Sequence, residues 1–144
     1  MPEPTGQASA VDGLLAEARA GVDRVEAADL PAEIAAGALV VDTRPVDQRD
    51  RDGALRGAVV VDRNVLEWRL DPTSPNRIAE ATSTDLRIVV VCNEGFSSSL
   101  AAATLRRLGL HRATDLTGGF QALLAEGSQL VEPVRRDDAR HWTG

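Results

Sequence analysis

Cys92 is the only cysteine in the 144-residue chain, and its place in the sequence suits nucleophilic chemistry. The apolar run 88–91 ends directly before it, and residues 98–108 carry the apolar pattern of an amphipathic helix. In an open α/β sheet, ligands bind outside the carboxyl ends of the strands, where we expect this cysteine to lie. Loop N–H groups and the positive end of the helix would stabilise an anion there. We therefore expect a populated thiolate, which is the nucleophilic form of the thiol.

The loop between the predicted strand and helix contributes the other candidate site residues. Gly95 allows a tight turn with positive φ, and the Ser97 and Ser98 hydroxyls can cap the helix or donate hydrogen bonds into the loop. The candidate active-site loop consists of Asn93, Glu94, Gly95, Phe96, Ser97 and Ser98. The alternative interpretation is that Cys92 is an ordinary buried core residue, which a lone cysteine after a valine run usually is.

Short apolar runs that alternate with helical segments predict the elements around this loop. Strands are predicted at 38–41, 59–61, 88–91 and 113–116, and helices at 29–36, 98–108 and 120–125. This alternation favours a mostly parallel sheet that is covered by helices on both faces.

The two ends of the chain are predicted to lie outside a central domain, which we assign to residues 23–130. Residues 1–22 form an N-terminal extension that is partly helical and whose first eight residues are expected to be loose. Its helical stripe consists of Val11, Leu14, Leu15, Ala18 and Val22. We expect the stripe to pack on the same domain, with self-association as the alternative. Residues 131–144 are predicted to be a polar tail, either a surface extension or disordered.

The composition excludes several classes of function. A net charge of -6 makes nucleic acid a poor partner, because phosphate binding needs a basic surface. Lysine is absent, which excludes Schiff-base chemistry and a Walker-type phosphate loop. His111 and His141 with one cysteine are too few for a metal centre, so we expect no metal and no cofactor. The sequence has no long apolar run and no secretory signal, which predicts a cytoplasmic protein without membrane contact. Its oligomeric state, monomer or homodimer, is left open by the sequence.

Four segments, taken together, resemble rhodanese-like domains, in particular the small single-domain thiosulfate sulfurtransferases. Cys92-x-x-Gly95-x-Ser97-Ser98 resembles the active-site loop of that family. Residues 39–44 resemble its early strand ending in Asp-x-Arg, 52–59 its Gly-x-Ile-x-Gly-Ala segment, and 116–122 its Leu-x-Gly-Gly-x-x-Ala turn. The resemblance covers residues 24–126, and the order and spacing of the four motifs identify the fold better than any one motif.

The resemblance implies a rhodanese-like α/β fold with a central parallel sheet of five strands and helices on both faces. It also implies a sulfurtransferase in which Cys92 takes the outer sulfur of a donor such as thiosulfate and carries it as a persulfide. The acceptor would be a thiol or cyanide, and the donor a small molecule or a protein persulfide. Such covalent catalysis in two half-reactions gives ping-pong kinetics, with loop N–H groups holding the persulfide anion.

The loop departs from the family pattern in its charge. Glu94 stands in a loop that carries basic residues in many thiosulfate-using members, and it either repels a doubly negative donor or points to solvent. Ser97 stands where phosphatases related to the family have a phosphate-binding arginine, so a phosphatase is disfavoured. The alternatives to a sulfurtransferase are a binding or regulatory module with little turnover, and a redox sensor in which Cys92 is oxidised reversibly.

Five residues outside the loop are further candidates. Arg63, Trp68 and Arg69 follow the second predicted strand, where they either bind the substrate or are ordinary surface and packing residues. Asp42 and Arg44 end the first predicted strand, and we expect them to support the structure near the active-site loop.

Overall fold

The computed structural model describes residues 9–134, which form six α-helices, two 3-10 turns and six short strands. The helices are α1 (Ala10–Arg19), α2 (Leu30–Ala35), α3 (Val46–Asp52), α4 (Leu66–Leu70), α5 (Ser97–Arg107) and α6 (Gly119–Ala125). The strands are β1 (Leu39–Asp42), β2 (Ala54–Leu55), β3 (Val59–Val60), β4 (Ile88–Val91), β5 (Ala113–Asp115) and β6 (Val131–Glu132). The 3-10 turns Ala27–Asp29 and Arg63–Val65 precede α2 and α4. None of these helices is long and apolar enough to cross a membrane.

Four strands form one parallel sheet in the order β3-β1-β4-β5, which confirms the predicted α/β architecture. The expectation of five strands in this sheet was wrong. Beside β5, the described residues form only a single bridge in place of a fifth strand. Val25 pairs there with Leu116, and its N–H donates to the carbonyl of Asp115 at 3.0 Å. The chain enters the 3-10 turn at Ala27 soon afterwards, so the pairing ends after one residue.

The core lies on both faces of the sheet, because successive side chains of a strand point in opposite directions. Val41 of β1 packs with Leu105 of α5 on one face. Its neighbour Val40 packs with Phe120 of α6 on the other face. Both faces are therefore covered by helices, as predicted, and β4 at the centre is fully buried.

The two chain ends differ in how they meet this domain. In α1, Leu15 and Ala18 are buried, whereas Val11 and Leu14 are about half exposed, so only part of the predicted stripe packs on the domain. At the other end, β6 pairs antiparallel with β2. The prediction of a loose start at residues 1–8 and the greater part of the predicted tail, residues 135–144, lie outside the described residues.

Candidate active site

The junction between β4 and α5 places Cys92 at the carboxyl edge of the parallel sheet. The loop that follows Cys92 is short, because α5 begins at Ser97. Gly95 has a φ of +88°, and a Cβ added there would lie 2.7 Å from the backbone nitrogen of Gly118. Position 95 therefore needs glycine both for its backbone conformation and for the close approach of the turn before α6.

The sulfur of Cys92 faces backbone donors. The N–H groups of Gly95 and Ser98 donate to Sγ at 3.1 Å and 3.4 Å. Cys92 is 6% exposed and belongs to neither of the two apolar clusters that the described residues form. It opens onto a pocket of about 270 Å³. This Cys92 pocket is lined by Thr43, Arg44, Pro45, Gln48, Cys92, Asn93, Glu94, Phe96 and Ser97.

The surroundings of the sulfur favour the thiolate. Burial acts against the charged form, but hydrogen bonds from Ser98 and Ser97 and from the Gly95 N–H outweigh it and hold the pKa of Cys92 below its ordinary value. The hydroxyl proton of Ser98 is already donated to Asp115 at 2.7 Å. We therefore attribute the lowered pKa to the Ser97 hydroxyl and to the backbone N–H groups of Ser98 and Gly95, the first of which belongs to the first turn of α5.

The junction between β5 and α6 also holds the active-site loop in place. The N–H groups of Phe120 and Gln121, at the start of α6, donate to the carbonyls of Cys92 and Asn93 at 2.8 Å and 3.1 Å. The Gln121 side chain also donates to the Asn93 side chain at 2.9 Å. A Cβ on Gly119 would lie 2.5 Å from the Cys92 carbonyl oxygen, so this contact is possible only without a side chain.

Asp115, at the end of β5, fixes the first turn of α5. Its buried carboxylate accepts hydrogen bonds from the hydroxyls of Ser98 and Ser99 at 2.7 Å and 2.8 Å. Arg24 donates to the same carboxylate through Nε at 2.8 Å and Nη2 at 3.1 Å. The Ser98 hydroxyl thus points away from the loop, and α5 has Phe96 as its N-cap without a side-chain hydrogen bond.

Asp42 and Arg44 form a buried ion pair behind one wall of the pocket. Arg44 donates through Nε and Nη2 to the Asp42 carboxylate at 3.1 Å and 2.9 Å, and Nη2 also donates to the carbonyl of Gly53. Its guanidinium carbon lies 3.5 Å from the centre of the Phe120 ring. Nη1 is buried without a hydrogen-bond partner in the described part of the chain, so the ring face compensates its charge in part.

The structure does not bring Arg63, Trp68 and Arg69 to the Cys92 pocket. Arg63 forms an ion pair with Glu67 at 3.0 Å, and Arg69 donates to a backbone carbonyl at 2.9 Å. Trp68 is 59% exposed and lines a separate surface cavity together with Arg63. The loop residues Glu94, Phe96 and Ser97, by contrast, all line the Cys92 pocket.

Sequence reasoning did not find Arg19, Arg24, Ser99 and Asp115, which all contact the loop or the first turn of α5. The sequence did contain a signal for Asp115. A carboxylate inside a predicted buried strand needs a charged or hydrogen-bonding partner. The partner itself could not be inferred, since Arg24 and Asp115 are 91 residues apart in the chain.

The central strand of the parallel sheet leads into a cysteine whose sulfur accepts hydrogen bonds from backbone N–H groups and lines a pocket at the carboxyl edge of the sheet. The sequence matches the model of the Rhodanese-like domain over residues 26–126. The chain belongs to the rhodanese-like family, as its motifs predict. No curated protein matches it at significant similarity.

Solved structures of this fold extend the comparison. A Rhodopseudomonas palustris protein, described as of unknown function and a possible tyrosine phosphatase, has 30% identity and a TM-score of 0.76, with 92% of this chain and 99% of that chain covered. A rhodanese homologue from Thermus thermophilus has 29% identity and a TM-score of 0.52, covering 70% and 100%. The human single-domain sulfurtransferase has 24% identity and a TM-score of 0.63, covering 74% and 98%, which shows a shared fold.

Proposed function

We propose that this protein is a sulfurtransferase, which moves a sulfane sulfur from a donor such as thiosulfate to a thiol or cyanide acceptor through a persulfide on Cys92. The observation that carries the proposal is the pair of N–H groups, from Gly95 and Ser98, directed at a pocket-lining sulfur. The same donors that stabilise a thiolate also suit a persulfide anion, because both place negative charge on sulfur.

The chemistry needs no group beyond the chain and its substrates. The Cys92 thiolate attacks the outer sulfur of thiosulfate, the S–S bond of the donor breaks, and sulfite leaves with the electron pair. In the second half-reaction an acceptor thiolate attacks the outer sulfur of the persulfide, and the cysteine thiolate is the leaving group. A lowered pKa of Cys92 helps both steps, since the cysteine is first the nucleophile and then the leaving group.

The charges of the pocket argue against phosphate-ester hydrolysis, the function suggested for the Rhodopseudomonas protein. Phosphatase chemistry of this kind needs a cation, usually an arginine, that makes a bidentate contact with two phosphate oxygens. Among residues 9–134, Arg44 is the only cationic residue that lines the Cys92 pocket, and its guanidinium is already paired with the Asp42 carboxylate. Ser97, which is exposed, stands at the position where a loop arginine would be needed.

The negative charge of Glu94 at the pocket mouth affects which sulfur donors the protein would use. Glu94 is exposed at the pocket, and no loop cation offsets its charge. We therefore expect slow turnover with a doubly negative donor and faster turnover with a donor of lower charge, such as 3-mercaptopyruvate or a protein persulfide. The repulsion is modest because solvent screens an exposed carboxylate.

A donor panel tests the proposal. The purified protein is incubated with thiosulfate, 3-mercaptopyruvate or a persulfidated protein, and intact mass spectrometry measures whether one sulfur atom is added. The matched control is Cys92→Ser, which retains the size of the side chain and removes the nucleophile. An acceptor thiol is then added, and the loss of the extra mass is followed with time. Hydrolysis of p-nitrophenyl phosphate is measured in parallel.

The outcomes separate the candidate functions. One added sulfur on the wild type, none on Cys92→Ser, and its removal by a thiol would support the sulfurtransferase. A persulfide that no acceptor removes would instead favour the binding or regulatory module. Phosphate release that depends on Cys92 without sulfur addition would replace the proposal by a phosphatase. Reversible oxidation of Cys92 by peroxide, with no adduct from any donor, would favour the redox sensor.

A further inference from the structure

Two arginines that precede the region of the family match reach the active-site loop. Arg19 is the last residue of α1, and Arg24 stands just before the bridge residue Val25, whereas the family match begins at residue 26. Arg19 donates through Nη2 to the carbonyl oxygen of Gly95 at 2.8 Å. Arg24 donates through its own Nη2 to the same oxygen at 3.1 Å. One loop carbonyl is thus held by two guanidinium groups.

Both guanidinium groups are themselves held in place. Arg19 donates through Nε to the hydroxyl of Ser99 at 2.9 Å, and its guanidinium carbon lies 5.9 Å from the centre of the Phe96 ring. Arg24 is fixed by two hydrogen bonds to the buried carboxylate of Asp115. A preorganised pair of charged donors on one carbonyl is stronger and more directional than neutral hydrogen bonds.

The orientation of this carbonyl fixes the direction of one N–H, that of Phe96, because both groups belong to the same peptide unit. The N–H of Gly95 donates to Sγ of Cys92 at 3.1 Å. The peptide bond between Gly95 and Phe96 is trans, so the Phe96 N–H points opposite to the Gly95 carbonyl. With the carbonyl bound to the two arginines, that N–H is directed away from them. Glycine rotates easily about its backbone bonds, so without such contacts the carbonyl is free to turn toward the sulfur.

We propose that Arg19 and Arg24 are positioning residues for the sulfur site, which hold the Gly95 carbonyl so that the Phe96 N–H of the same peptide unit faces the sulfur carried by Cys92. The inference rests on the proposed function, since the Phe96 N–H would serve the outer sulfur of the persulfide. It also gives the N-terminal extension a role, because α1 supplies one of the two donors. In a flipped loop, the partial negative charge of the carbonyl would face the thiolate.

The test compares substitutions of Arg19, whose removal leaves the Arg24–Asp115 ion pair in place. Arg19→Met keeps the length and apolar stem of the side chain but removes all its donors. Arg19→Lys keeps the charge and a single donor nitrogen. The matched control is Arg107→Met, an exposed arginine in the last turn of α5. Iodoacetamide alkylation of Cys92 is measured from pH 5 to pH 10, and persulfide formation and transfer are followed by mass spectrometry.

We expect Arg19→Met to slow alkylation at pH 7 by about fivefold, the effect of losing roughly one charge-assisted hydrogen bond near the thiolate. Its alkylation profile should move to higher pH, the persulfide should transfer or decay faster, and Arg19→Lys should recover part of both effects. Arg107→Met should match the wild type. These changes are not expected from a purely structural role, because a folded protein with an unchanged loop keeps its pH profile.

A folded Arg19→Met variant with the wild-type alkylation profile and persulfide lifetime would overturn the inference. The same shift in Arg107→Met would overturn it too, since a general charge effect would then suffice. If Arg19→Met does not fold, the decision passes to Arg19→Lys, for which a partial shift of the alkylation profile to higher pH supports the inference and an unchanged profile contradicts it. Failure of the wild type to form a persulfide contradicts the proposed function alone, because the alkylation profile is read without any donor.

Discussion

Replacing Asp115 by asparagine removes the charge on which Arg24, Ser98 and Ser99 converge. Oδ2 of Asp115 accepts from both hydroxyls and from Nη2 of Arg24, while Oδ1 accepts from Nε of Arg24. An amide has one acceptor oxygen and one NH2 group. Whichever way the asparagine side chain is turned, its NH2 group faces an N–H of Arg24, so one donor meets another.

The cost of this change follows from the burial of the pair. Removing one partner of a buried ion pair costs about 3–5 kcal/mol of the free energy of unfolding. The Asp115 side chain is 2% exposed, but that of Arg24 is 17% exposed and keeps its bond to the Gly95 carbonyl. We therefore expect the lower end of that range, about 3 kcal/mol, which corresponds to a fall of about 9 °C in Tm for a domain of this size.

Urea unfolding followed by circular dichroism measures the loss, with Asp85→Asn as the matched control. The Asp85 side chain is 82% exposed and pairs only with the exposed His111, so its substitution should change stability by less than about 0.5 kcal/mol. The slope of the transition should be the same in all three proteins, because the surface exposed on unfolding is unchanged. A loss below about 1 kcal/mol in Asp115→Asn would refute the reasoning, since a buried charge would then have been removed without consequence.

Three further predictions concern the loop and its sulfur. The pKa of Cys92 is lower in the folded protein than in the unfolded chain, so the folded state gains stability relative to Cys92→Ser as pH rises from the folded pKa to about 8.5. This extra stability should disappear as pH falls through the folded pKa. Urea midpoints of both proteins between about pH 5 and 9.5 measure the difference. Gly119→Ala should cost at least about 2 kcal/mol in urea unfolding and slow alkylation of Cys92, whereas Gly127→Ala, with a similar φ but open space, should cost about 1 kcal/mol and leave alkylation unchanged. Glu94→Gln should raise kcat/KM for thiosulfate about twofold in a sulfite-release assay and leave 3-mercaptopyruvate turnover nearly unchanged; equal rises for both donors would argue against charge repulsion.

Local sequence signals were sufficient for the centre of the fold. The valine run before Cys92 is buried on both sides of the sheet, and its short length and β-branched residues distinguish such a strand from a helix. Gly95 signalled a positive φ, and the loop indeed requires it. The edge of the sheet was harder, because the pairing of Val25 is a single bridge that leaves no pattern of alternating residues.

Contacts between distant segments set the limit of the sequence reasoning. Arg19 and Gly95 are 76 residues apart, and one sequence contains no signal that pairs them. Arg63 was a candidate for substrate binding because it follows a strand, as many binding residues do, with an ordinary surface arginine as the alternative. Its four-residue spacing from Glu67 places both on one helical face, where they pair with each other instead.

Two of the donors to the sulfur are backbone N–H groups, so the site depends on the conformation of the loop as well as on its side chains. This explains why Glu94 and Ser97, which depart from the family pattern, are compatible with two N–H groups directed at Sγ. Both side chains are exposed and act on whatever enters the pocket. The charge of the sulfur is instead controlled by residues that fix the backbone, and Asp115 does so by holding the first turn of α5. For the proposed sulfurtransferase, we therefore expect that substitutions can change substrate choice and sulfur activation separately.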